Sequence, residues 1–145
     1  MSDLRRLAYL STSRKPMSSA ELAVLCAVSE HNNRIESITG ILLYVDGSFL
    51  QVVEGPCHAI RMLLAKLEVD ERHTSMTVLE NVSASERLFP DWAMEGRGAA
   101  YRDLDGVYAP SESFTDMVRR LWAREEAAFI KVFLRNFFMT SLPRC

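Results

Sequence analysis

The chain has little of what most catalytic, metal-binding or membrane-anchoring devices require. Only three of its 145 residues are cysteine, Cys26, Cys57 and Cys145, and none stands at a metal-ligand spacing. Free thiols in a reducing cytoplasm are the simplest account of them. The three histidines, His31, His58 and His73, share no ligand spacing either, so no metal centre is expected. Glycine is sparse, and the stretch Glu95-Gly96-Arg97-Gly98 is too short for a phosphate-cradling loop. No apolar run is long enough to span a bilayer, and Met1-Ser2-Asp3-Leu4-Arg5-Arg6 lacks the apolar core of a signal peptide. Neither sign of charge dominates. Seventeen Lys and Arg stand against nineteen Asp and Glu, with no basic stripe, so direct nucleic-acid binding has no electrostatic footing. Cys57 and His58 are neighbours, but adjacent helix positions point in different directions and do not make a nucleophile–base pair. An enzyme is not expected on these grounds.

What is present is ordinary in bulk and specific in pattern. Hydrophobic residues make up 48% and charged residues 25%, the balance of a globular domain, and the length suits one sizeable core. Residues 6–13 read as a strand. Ser18-Ser19-Ala20-Glu21 is a capping box that starts a helix near residue 19, with Leu22, Leu25, Cys26 and Ser29 on its inner face. His31-Asn32-Asn33 is its expected end, since asparagine tolerates a left-handed terminal conformation. Residues 38–45 and 49–54 read as strands joined by the hairpin signal Asp46-Gly47. Gly55-Pro56 breaks the second strand, and proline suits the first turn of a helix. That helix buries Ile60, Leu63, Leu64 and Leu67 and closes near residues 70–73. Residues 76–82 and 88–94 read as two more strands. The order β-α-β-β-α-β-β is a ferredoxin-like pattern with one strand added. It implies an α+β fold with a five-stranded mixed sheet, two helices on one face and the other face left to be covered.

Residues 97–110 are turn-rich and mark a boundary, so residues 1–97 are expected to form the binding domain and residues 98–145 a pair of capping helices. The first carries Phe114, Met117, Val118, Leu121 and Trp122 on its apolar side, and the second covers about 124–139. Residues 127–138 are apolar almost all round, with Lys131 and Arg135 on a narrow polar edge. Such a helix has more apolar surface than one contact buries, so a homo-oligomer contact is expected in addition to the sheet. A separate partner protein is also expected to use this surface.

Gln51 sits in the apolar strand Phe49-Leu50-Gln51-Val52-Val53 and shares a face with Phe49 and Val53. A buried amide without partners costs about 1–3 kcal/mol, so this face is expected to meet something polar. Tyr9 brings a phenol to the first strand in the same way. The plainer account gives Gln51 a strand-end backbone partner and Tyr9 a place at the rim of the core. A second set converges on these two. Asn32 and Asn33 lie at the mouth of the first helix, and Asp70, Arg72 and His73 at the end of the second. A cleft between the helices, walled by Leu25 and Leu67 and floored by Tyr9 and Gln51, would take a flat heteroaromatic ring. Taken alone, Arg72 and His73 also suit the C-terminal end of a helix dipole.

These residues resemble the BLUF domains, blue-light sensors that use flavin. The resemblance covers roughly residues 4–96 and rests on Arg6-Leu7-Ala8-Tyr9-Leu10-Ser11, on Asn33 followed by Ile38-Thr39-Gly40-Ile41-Leu42-Leu43-Tyr44, and on Phe49-Leu50-Gln51-Val52-Val53-Glu54-Gly55. It continues through Asp70-Glu71-Arg72-His73 and Arg87-Leu88-Phe89-Pro90-Asp91-Trp92-Ala93-Met94. The resemblance implies that Tyr9 gives an electron to the excited flavin and that Gln51 links this phenol to flavin N5 and C4=O. It implies that Asn33 bonds the C4=O edge, with Asn32 a neighbouring contact. Arg72 and Asp70 would hold the pyrimidine side and the ribityl chain, with His73 close by. Leu25, Ser29 and Leu67 would line the ring, and Trp92 and Met94 would relay the light signal. FAD is the implied cofactor, with FMN or riboflavin presenting the same ring. A cytoplasmic photoreceptor is the expected function. The alternative is a light-independent flavin- or small-molecule-binding regulatory or dimerisation module, which the fold alone does not separate from it.

Overall fold

Each element begins where its local chemistry allows, within a computed structural model that describes residues 3–45, 47–89, 99–103 and 106–107. Strand β1 (Leu4–Ser13) leads into helix α1 (Ser19–Ile35). At its start the Ser18 hydroxyl accepts from the Glu21 N–H at 3.2 Å, and the Glu21 carboxylate accepts from the Ser18 N–H at 3.2 Å. Two of the donors that a helix start leaves unpaired are thereby satisfied. Strands β2 (Thr39–Val45) and β3 (Ser48–Pro56) form a hairpin in which Val45 pairs with Ser48. Gly47 takes φ 86° at this turn, a conformation open to glycine without a Cβ penalty. Helix α2 (Cys57–Glu68) follows directly, with Pro56 at its N-cap. Strands β4 (His73–Ser83), β5 (Ala99–Asp103) and β6 (Gly106–Val107) complete the described elements.

The sheet order is β4-β1-β3-β2-β5-β6. Its four longest strands pair antiparallel, and β5 joins β2 in parallel. Leu7, Tyr9, Leu42, Tyr44, Phe49 and Val53 form one buried cluster with Leu22 of α1 and with Ala59 and Ile60 of α2. Both helices therefore cover the same face of the sheet. Ala8, Ile41, Leu50 and Val52 alternate to the opposite face and are buried too.

Three expectations need correction. The sheet has six strands among the described residues where five were expected. Leu88 and Phe89 form a bend, and residues 90–94 of the strand expected at 88–94 lie outside the described residues. A strand also occupies residues 99–103, inside the stretch expected to be a turn-rich boundary. Pairing with β2 supplies order that a five-residue segment between glycines does not show by itself. Helix α1 also runs past Asn32 and Asn33 to Ile35, and the left-handed residue is Ser37, at φ 58°. The helices expected between residues 111 and 139 lie outside the described residues.

Candidate functional site

Register brings the two singled-out polar residues together. Tyr9 of β1 stands opposite Gln51 of β3 in the antiparallel ladder, on the face covered by the helices. Both are buried, at 4% and 7% exposure, and the Tyr9 hydroxyl donates to Oε1 of Gln51. Burial pushes the Tyr9 phenol well above its ordinary range, and the Asp70 carboxylate adds to this against the opposing pull of Arg72. The phenol is therefore held as a neutral donor, and its bond fixes the Gln51 carbonyl toward β1.

A cleft of about 420 Å³, counting its open mouth, lies over this pair. Helix α1 contributes Leu25 and Ser29, α2 contributes Leu67, and the turn into β4 contributes Asp70, Arg72 and His73. The sheet supplies Tyr9, Ser11, Leu42, Phe49 and Gln51. At the mouth the Arg72 guanidinium donates to both Asp70 oxygens, at 2.6–3.1 Å, and the Arg72 N–H caps the same carboxylate at 2.9 Å. These bonds hold the Asp70 carboxyl below its usual range. His73 is buried beside Tyr9, with ring centroids 6.2 Å apart. Its two ring nitrogens and the Ser11 hydroxyl are buried without hydrogen-bond partners among the described residues. Three orphaned polar atoms at the cleft are what a polar-edged ligand would satisfy.

The sequence profile of the BLUF family, described as sensors of blue light using FAD, matches residues 4–95. The chain belongs to the BLUF family. Among curated relatives, the photoactivated adenylate cyclase subunit beta of Euglena gracilis is 34% identical over 120 residues. That match takes in 79% of this chain and 14% of the cyclase subunit, so the chain spans about a seventh of the relative's length. The dark-state structure of the BLUF protein BlrB superposes with a TM-score of 0.63 at 32% identity, covering 70% of this chain and 75% of that one. A bacterial light-regulated adenylyl cyclase gives the same TM-score at 28% identity, covering 94% of this chain and 34% of the cyclase. The chain is a BLUF blue-light sensor domain. No helix among the described residues is long and apolar enough to cross a membrane.

Of the residues expected at the BLUF site, Tyr9, Leu25, Ser29, Gln51, Leu67, Asp70, Arg72 and His73 meet at one cleft. Asn33 is buried in the last turn of α1 and Asn32 is exposed beside it, and neither is in the cleft lining. Trp92 and Met94 lie outside the described residues. Ser11, Leu42 and Phe49 also line the cleft and were not among the expected contacts. Two of them carried a readable signal, because Ser11 is two residues from Tyr9 and Phe49 two from Gln51 on the same strand faces. Leu42 needed the register, which sets it opposite Gln51.

Proposed function

We propose that this BLUF domain holds an oxidised flavin, FAD in preference to FMN or riboflavin, between α1 and α2, and that the Tyr9–Gln51 bond is its light-responsive element. The observation that carries the reading is this buried bond at the floor of a cleft with unpartnered polar atoms at Ser11 and His73. A bound flavin supplies the blue-light absorption and the oxidising power of its excited state. Leu25, Leu42, Phe49 and Leu67 pack against the ring, and the Asp70–Arg72 pair holds the polar side and the ribityl chain at the mouth. Asn33 lies one helical turn beyond Ser29 on the same face of α1, which supports its assignment to the carbonyl edge, with Asn32 beside it.

The chain's own part is to position protons. Tyr9 keeps a proton on its hydroxyl, aimed at Gln51 Oε1, and oxidation of the phenol makes that proton leave along the existing bond. The amide then rotates or tautomerises and offers a changed hydrogen-bond pattern to the cleft. Trp92 and Met94 are assigned the relay, and residues 98–145 the cap of the second sheet face, the homo-oligomer contact and the surface read by a separate effector. The burial of Ala8, Ile41, Leu50 and Val52 supports such a cap. The deciding experiment is the absorption spectrum of the purified chain in the dark and after blue light. Flavin bands with a reversible red shift are expected. A protein that stays colourless after refolding with FAD, or a bound flavin with no shift, overturns the reading.

A further inference from the structure

The strands that carry Tyr9 and Gln51 also carry a buried ion pair. Arg6 and Glu54 are in-register partners three rungs along the same β1–β3 ladder, on the face away from the cleft. Glu54 is fully buried. Its oxygens accept from Arg6 Nε at 3.0 Å, from the Leu88 N–H at 2.9 and 3.0 Å and from the Phe89 N–H at 2.9 Å. Arg6 also donates through Nη2 to the Glu86 carbonyl at 3.1 Å. Residues 84–89 belong to no strand or helix, so the backbone donors of Leu88 and Phe89 depend on this carboxylate.

A second carboxylate stands on the other side of β1 from the first. Val82 of β4 is the ladder partner of Arg6, and Glu80 lies two residues from it, diagonal to Arg6 on the same face. Its Oε2 is buried without a hydrogen-bond partner among the described residues. Burial pushes the Glu80 carboxyl up against the opposing influence of Arg6, with Glu54 adding to the rise. One guanidinium thus faces two acids and satisfies one. Turning Arg6 from Glu54 to Glu80 would pair the orphaned oxygen and leave Glu54 with the backbone donors alone. One cation between two acids has two arrangements that a perturbation can redistribute.

We propose that Arg6, Glu54 and Glu80 form a two-position latch that grips residues 86–89 in the dark and loosens them when the Tyr9–Gln51 pair rearranges. The inference rests on the sensor reading above. A change in the Gln51 amide alters how β3 sits against β1, and the Arg6–Glu54 rung is three residues from it on both strands. The β1–β4 register breaks between Ala8 and Tyr9, so the stretch that holds Arg6 and Glu80 is set off by an irregularity from the level of Tyr9 and can adjust separately from it. Glu54 here is a positioning residue that acts through Leu88 and Phe89.

Hydrogen–deuterium exchange of the Leu88 and Phe89 amides in the full FAD-loaded chain, dark against continuous blue light, tests the latch. In the wild type, exchange should rise at least about tenfold in the light, the scale set by losing a hydrogen bond to a charged acceptor. Glu80→Met removes the alternative acceptor at a partly exposed site. It should keep the red shift and lose the light-induced rise. Glu54→Gln should already exchange fast in the dark. A Glu80→Met variant that opens like the wild type, or a wild type with a full red shift and unchanged exchange, overturns the latch while leaving the sensor reading intact. A wild type that shows no red shift removes the sensor reading and the latch with it.

Discussion

A phenol serves as a photochemical electron donor only if its proton has somewhere to go, and the Gln51 carbonyl already accepts the Tyr9 hydroxyl, which is the basis for the proposed role of the pair. Gln51→Leu keeps most of the volume and removes the amide. The variant should retain flavin and lose the red shift, with a stability loss of about 1–3 kcal/mol because the Tyr9 hydroxyl stays buried without its acceptor. Denaturant melts and dark-minus-light spectra check both parts, and a full reversible shift in this variant would show that Gln51 is not the switch. Tyr9→Phe should also bind flavin without the normal photocycle, since phenylalanine is far harder to oxidise. Normal cycling there would move the donor role to Trp92. The pair was legible in the sequence because an amide and a phenol are conspicuous in apolar strands. Leu42 was not, because one more apolar residue in an apolar strand says nothing until register sets it against Gln51. Asn32 and Asn33 misled for a related reason. Their intrinsic tolerance of helix ends suggested a stop, while α1 continued through them to Ile35.

At the scale of elements, the capping box and the hairpin turn were readable because each is a short-range device whose partners lie within four residues. Strand β5 was not readable, because its order comes from the parallel edge of β2, more than fifty residues away in sequence. The β2–β3 hairpin offers a sharp test of how closely these strands approach. A Cβ built on Gly40 falls 1.9 Å from the Val52 carbonyl oxygen, a backbone atom that cannot swing aside. Gly40→Ala must therefore spread the two strands at the rung next to Ile41 and Val52. A loss of more than about 2 kcal/mol is expected, at the upper end of overpacking changes, together with weakened flavin retention as Leu42 and Gln51 are displaced. Unfolding midpoints of Gly40→Ala and of Gly47→Ala compare a crowded position with an open one. At Gly47 no atom lies within 4 Å of the added Cβ, and only its φ of 86° opposes the change.

At the scale of the whole molecule, two predictions concern association and pH. The apolar circumference of residues 127–138 is the basis for the proposed homo-oligomer contact. Aspartate at Phe133 or Phe137 should give a yellow, photoactive monomer by light scattering, and an insoluble or flavin-free product would instead place those rings in the core. The pH response follows from two carboxyls shifted in opposite directions. Hydrogen bonds from Arg72 hold Asp70 below its ordinary value. Its stabilisation is therefore complete above the unfolded value of about 3.9 and is lost as pH falls through the lower folded value. Burial raises Glu80, so the folded chain takes up a proton there before the unfolded chain does. Stability from that site should then rise as pH falls from neutral toward the unfolded glutamate value of about 4.3, and level off below it. The Glu80→Gln variant has no such proton to gain. Its Tm relative to wild type should be highest near neutral pH, where the wild type carries an ionised and incompletely paired carboxylate, and the difference should shrink by about pH 4. Thermal melts of both proteins across this range measure the difference directly. A gap that stays constant with pH, or widens on acidification, would mean that Glu80 finds a partner for its charge in the folded protein, and the latch would lose its unsatisfied acid.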